Sequence, residues 1–123
     1  MIRVILVDDD LLARSRVGRL LQEAADVRVV GSFARGTEAV RFLARETVHV
    51  AVLDLAQGGI DVARRMRAVS PKTQLLMLAG DTRPQRVREA FWAGAAGYVL
   101  KEAADGEVVA AVRAVHAGKV PDA

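Results

Sequence analysis

Acidic residues stand where two apolar runs end. Asp8-Asp9-Asp10 closes MIRVILV, Asp54 closes VHVAVLD, and Lys101 closes a third run, GYVLK. In a parallel α/β sheet, strand ends of this kind meet at one edge, so carboxylates far apart in sequence share a pocket. Such a cluster repels itself unless a cation sits in it, and hard oxygen ligands favour Mg²⁺. Lys101 brings one positive charge to the same edge. Three acids, a divalent metal and a lysine are the parts needed to move a phosphoryl group onto Asp54. A carboxylate attacks an anionic phosphoryl group only when charge is neutralised and the reactants are held in line.

The elements that must position these groups are legible as alternating units. Five short runs rich in Val, Ile and Leu, at Ile2–Val7, Val27–Gly31, Val48–Leu53, Gln74–Ala79 and Ala96–Leu100, read as strands buried on both faces. Between them lie helical stripes: Ala13, Val17, Leu20, Leu21 and Ala24; Val87, Ala90, Phe91 and Gly94; Val108, Val112 and Val115. Glycine or proline punctuates most junctions. Strict β-α alternation predicts a parallel sheet with helices on both faces and right-handed crossovers. Five strands suit the flavodoxin-like order 2-1-3-4-5, whose ligand crevice opens where the order reverses. That order brings Asp8, Asp9 and Asp54 together.

Bulk properties narrow the classes. With 123 residues, 52% of them hydrophobic and 27% charged, the chain suits one ordinary globular domain. No apolar stretch approaches the roughly 20 residues of a membrane span. The absence of cysteine removes disulfides and thiolate metal sites and fits a cytoplasmic protein. The net charge of +3 comes from arginines spread along the chain, including Arg64, Arg65, Arg67, Arg83, Arg86 and Arg88, with few aromatics beside them. They read as a solvated surface, so direct nucleic-acid binding by this domain is not expected.

The landmarks VILVDDD, VAVLDL and AGAAGYVLKEA, in this order at matching strand ends, resemble the receiver domain of two-component response regulators over nearly the whole length. The last phrase and the continuation VRAVHAGK are most similar to the NarL/FixJ-type subfamily. The resemblance implies a receiver domain over 1–118, with 119–123 beginning a linker to an output domain. It implies that Asp54 accepts a phosphoryl group from a histidine kinase. Asp8, Asp9, Asp54 and the carbonyl of Ala56 would hold Mg²⁺, Lys101 would contact the phosphoryl group, and Tyr98 would be the switch aromatic. Homodimerisation is implied too, with DNA reached only through an output domain outside this chain. The module is no enzyme beyond its own Mg²⁺-assisted phosphorylation and dephosphorylation.

Two departures stand out. Ala79 occupies the place where receivers usually carry Ser or Thr, and Thr82 is no obvious substitute. The loop after Asp54, DLAQGGIDVARRM, lacks the usual proline and is about three residues short, leaving Gly58-Gly59 to make a tighter turn. These features support an alternative: an atypical receiver that works through ligand or protein binding without phosphorylation. A remote alternative takes Asp8-x-Asp10, with Gly80-Asp81, as a haloacid-dehalogenase-like phosphatase motif. Other residues have plainer readings. Asp10 suits an N-cap. Trp92, off the helix-four stripe, suits either an interface or partial burial. His49 and His116 lack metal-ligand spacing and are given no chemistry.

Overall fold

The computed structural model describes residues 1–56, 58–103 and 105–119. Five strands alternate with five helices: β1 (Ile2–Val7), α1 (Leu11–Gln22), β2 (Val27–Phe33), α2 (Gly36–Leu43), β3 (Val50–Asp54), α3 (Gly59–Val69), β4 (Gln74–Ala79), α4 (Pro84–Trp92), β5 (Ala95–Leu100) and α5 (Asp105–His116). The strands form one sheet in the order 2-1-3-4-5, every pairing parallel, as the alternation predicts. Of the proposed linker, residues 120–123 lie outside the described residues.

Side-chain parity explains how the unbroken apolar runs divide. Successive residues of a strand face opposite sides. Ile5, Val7, Ala51, Leu53, Leu75, Met77 and Ala79 belong to one core, which takes in Ala39 and Leu43 of α2, Ala63 and Met66 of α3 and Ala90 of α4. Val4, Leu6, Val50, Val52, Leu76, Leu78 and Val99 belong to the other, with Val17 and Leu21 of α1 and Val108, Ala111, Val112 and Val115 of α5. Two cores, one on each face, are what an all-parallel sheet requires.

Helix α4 departs from the expected stripe. Only Ala90 is buried there, whereas Phe91 is 38% exposed. The chain turns at Gly94, which has φ of 108°, and in the last turn of α4 the small side chain of Ala90 takes the buried place while Phe91 and Trp92 face outward.

The short connection from β3 to α3 depends on its two glycines. Gly58 has φ of 81°, in the left-handed region, and caps the helix. At Gly59 a Cβ would sit 2.6 Å from the carbonyl oxygen of Asp54, closer than real Cβ atoms come to backbone. The α3 N-terminus thus approaches the end of β3 as closely as a residue without a side chain allows. Gln57 lies outside the described residues. Helix propensity alone would favour Gly59→Ala by up to about 1 kcal/mol. The collision predicts the opposite sign, a loss of about 1–3 kcal/mol measured by urea unfolding.

Candidate functional site

Register carries the charged residues to one edge. Val7 pairs with Leu53 across β1 and β3, Asp54 with Leu78 across β3 and β4, and Ala79 with Leu100 across β4 and β5. Asp8, Asp54 and Lys101 each stand two residues beyond a member of the α1/α5 core, namely Leu6, Val52 and Val99. By the period of two they leave the sheet on that same side. The Lys101 amide extends the ladder by donating to the Ala79 carbonyl at 2.8 Å.

The result is a compact ionic site. Nζ of Lys101 lies 3.1 Å from Oδ2 of Asp54 and 3.3 Å from Oδ2 of Asp8. The other carboxylate oxygens take backbone donors: the Ala56 amide to Oδ1 of Asp54 at 3.1 Å, and the Asp10 amide to Oδ1 of Asp8 at 2.9 Å. The Asp8 and Asp54 side chains are only 6% and 9% exposed, whereas Asp9 is exposed. Carboxylate oxygens of Asp8, Asp9 and Asp54 all lie within 4.8 Å of one another. Three hard oxygen donors converging so closely, with one lysine to offset them, suit a divalent cation. Beside them opens a cavity of about 480 Å³, also lined by Arg35, Thr37 and Ala56.

Burial lowers the pKa of Lys101, but the hydrogen bond and charge of Asp54, together with Asp8, outweigh it and hold the ammonium above its ordinary value. Asp10 does not join the site. Its Oδ1 accepts from the Leu12 and Ala13 amides at 3.0 and 3.3 Å and caps α1. A carboxylate spent on that cap leaves the Asp8-x-Asp10 phosphatase motif without its second acid.

Ala79 and Tyr98 follow the other parity. Ala79 is buried in the α2/α3/α4 core, and Tyr98 packs against that core with its hydroxyl donating to the Asp81 carbonyl. Burial, then the charge of Asp81, raises the Tyr98 pKa. Asp81 is itself held by Arg83, whose amide donates to Oδ1 at 3.0 Å and whose guanidinium lies 3.1 Å from Oδ2. Trp92 is 78% exposed, so it is a surface residue and not a partly buried one.

Three features escaped sequence reasoning. Arg86, expected on the solvated surface, is half-buried, and its Nε has no hydrogen-bond partner. His49 and His116, remote in sequence, meet with ring centroids 5.1 Å apart and ring planes tilted by 59°. The Arg3 amide donates to Nδ1 of His49 at 2.9 Å, which puts the neutral ring's proton on Nε2 and leaves no free lone pair for a metal. Burial, followed by His116, lowers the His49 pKa. The third is a set of contacts from Arg16 of α1 to the backbone of the Lys101 turn. No helix among the described residues is long and apolar enough to cross a membrane.

This sheet order, with paired acids at the ends of β1 and β3 and a lysine after β5, defines a receiver. Residues 4–113 match the response regulator receiver domain family, and the chain belongs to it. Among its relatives, the response regulator UvrY of Escherichia coli is 34% identical over 122 residues, covering 97% of this chain and 56% of that protein. The transcriptional regulatory protein UhpA of Escherichia coli is 33% identical over 118 residues, covering 96% and 60%. The solved receiver domain of the response regulator NarL from Mycobacterium tuberculosis superposes with a TM-score of 0.89 at 32% identity, covering 96% of this chain and 98% of that one. These relatives bear out the NarL/FixJ-type likeness. The chain spans little more than half the length of the curated relatives it matches.

The raised pKa of Lys101 fixes the sign of a pH dependence. Its stabilisation is fully present below the unfolded lysine pKa of about 10.4 and is lost as pH rises through the higher folded value. In metal-free buffer, Lys101→Met should cost about 1–3 kcal/mol near neutrality, discounted for the partial exposure of Lys101. Urea unfolding at increasing alkalinity should show the gap to wild type closing above the unfolded value.

Proposed function

We propose that the chain is a phosphorylation-controlled receiver in which Asp54 accepts a phosphoryl group from a histidine kinase. The observation that carries this reading is the ammonium of Lys101 bridging Asp8 and Asp54 in a pocket that also gathers Asp9. A carboxylate oxygen of Asp54 attacks phosphorus, an O–P bond forms and the P–N bond of the phosphohistidine breaks. The imidazole leaves with the bond's electron pair and takes up a proton.

Asp8, Asp9, Asp54 and the Ala56 carbonyl would hold Mg²⁺. Bound there, the ion supplies charge neutralisation for the phosphoryl oxygens. Lys101 moves from bridging two carboxylates to contacting the incoming phosphoryl oxygen, and the Ala56 amide keeps the Asp54 carboxylate oriented. The same residues set the rate of hydrolysis, so the only catalysis proposed is the receiver's action on itself.

Ala79 offers a phosphoryl group no hydroxyl. Coupling to Tyr98 therefore runs through the backbone of Ala79–Asp81, whose last carbonyl accepts from the tyrosine hydroxyl. UvrY and UhpA are longer than this chain, and by analogy we place a DNA-binding output elsewhere in the full protein, reached through a linker that begins near residue 119. Phosphorylation would control homodimerisation in the cytoplasm, with Trp92 a candidate contact residue.

Intact-mass spectrometry after incubation with phosphoramidate tests the chemistry. One Mg²⁺-dependent phosphoryl adduct is expected on wild type and none on Asp54→Asn. Asp9→Asn should raise the Mg²⁺ concentration for half-maximal labelling by about tenfold or more. Labelling that survives Asp54→Asn would sink the assignment.

A further inference from the structure

The turn that carries Lys101 is held from outside the pocket by one side chain. Arg16 of α1 donates from Nη1 to the Lys101 carbonyl at 3.4 Å and from Nη2 to the Ala103 carbonyl at 3.3 Å. Its Nη2 also meets Oδ1 of Asp105, at the start of α5, at 2.9 Å. One guanidinium therefore joins three successive parts of the β5–α5 connection. Inside the same connection, the Lys101 amide donates to the Ala79 carbonyl and the Ala103 amide to the Leu100 carbonyl at 3.0 Å. The inward-facing amides are tied to the sheet and the outward-facing carbonyls to Arg16.

The base of this bracket is anchored in the core. Arg16 precedes Val17, which is 5% exposed, and Leu21, one turn further on, is fully buried. Helix α1 packs against α5 over the second core. The same helix holds the other side of the pocket, because Arg14 donates to the carbonyl of Asp8. Helix α1 thus grips the backbone of both partners in the Asp8–Lys101 pair. A fork of planar donors suits this task, since it can serve several oxygens at once where an ammonium cannot.

We infer that Arg16 is a positioning residue for phosphoryl transfer, fixing the β5–α5 turn so that Lys101 is held over Asp54. The inference rests on the phosphoacceptor reading above. Ala79 gives Lys101 added weight: without a hydroxyl at that place, fewer side chains align the phosphoryl group, so displacement of the lysine should be costly. Small misplacements of positioning groups can lower rates about a hundredfold.

The test compares wild type, Arg16→Ala, Arg16→Lys, Lys101→Ala and the Arg16→Ala/Lys101→Ala double variant. Labelling by phosphoramidate is followed at varied donor and Mg²⁺ concentrations. Arg16→Ala should lower the maximal labelling rate by about tenfold, as expected for a loss of alignment, with half-saturating concentrations changed by less than about twofold. Arg16→Lys should recover part of the rate. In the Lys101→Ala background the Arg16 substitution should have almost no further effect, because residues acting through one another are not additive. An unchanged rate in Arg16→Ala, or the same tenfold loss in the Lys101→Ala background, overturns the proposal.

A second arm needs no donor. Amide hydrogen exchange at Lys101 and Ala103 should accelerate by about tenfold or more in Arg16→Ala, with β1 and β3 unchanged. Uniform acceleration would show a general loss of stability, and no acceleration would show that Arg16 does not hold the turn. Either result overturns the inference. If wild type takes no phosphoryl group, the phosphoacceptor reading falls with the catalytic half of this one. The exchange arm then decides separately whether Arg16 fixes the turn.

Discussion

Like-charge repulsion among three carboxylates is the constraint on which the rest of this structure turns. Asp8, Asp9 and Asp54 bring oxygens within 4.8 Å of one another, and the two largely buried ones share a single ammonium. An isolated buried carboxylate is strongly disfavoured, so the pocket persists because backbone amides and Lys101 satisfy it. Packing elsewhere must hold three strand ends against that tendency. It does so through a sheet whose two faces are filled by separate cores, so that β1, β3 and β5 cannot slide independently. A slip of one residue in any of them would send its charged residue to the opposite face.

The same parity divides the edge into two sides. Asp8, Asp54 and Lys101 leave toward α1 and α5, while Ala79 and Tyr98 belong with α2, α3 and α4. The ionic groups and the Tyr98 hydroxyl therefore leave the sheet toward opposite faces, with the end of β4 between them. Hydrogen bonds to backbone carbonyls tie the end of β4 and the turn after it to both sides: the Ala79 carbonyl accepts from the Lys101 amide, and the Asp81 carbonyl, two residues on, accepts from Tyr98. The shortened loop after Asp54 is accommodated without loss of the acid cluster, because Gly58 and Gly59 absorb the tight turn.

Much of this was legible in the chain. Strand runs with acids at their ends, separated by helical stripes, led to the sheet order and to the convergence of Asp8, Asp54 and Lys101. Local chemistry was legible as well: Asp10 caps α1, as its type and place suggest. What escaped depends on long-range approach. Arg16 meets residues 85 to 89 positions away, and an arginine on a helix reads as solvated until the neighbouring turn is known. His49 and His116 meet only because α5 runs back across the sheet toward the start of β3. The reading of Phe91 as core failed for a related reason. Periodicity shows which residues share a face, but it does not show how much of that face the neighbouring elements cover.

The protein's single tryptophan sits on the last turn of α4, with 78% of its surface in solvent, while the acid pocket lies at the carboxyl edge of the sheet from which the chain enters that helix. An indole so placed is a built-in optical probe with a clean division of labour. Its emission should have the red-shifted character of a water-exposed ring, and quenchers in solution should reach it freely. A cation entering among the carboxylates makes no direct contact with it and should leave its emission unaltered, whereas any macromolecule covering the end of α4 should exclude water from the ring and shift its light toward the blue. Intrinsic fluorescence therefore separates what happens in the pocket from what happens on this surface, with no label added.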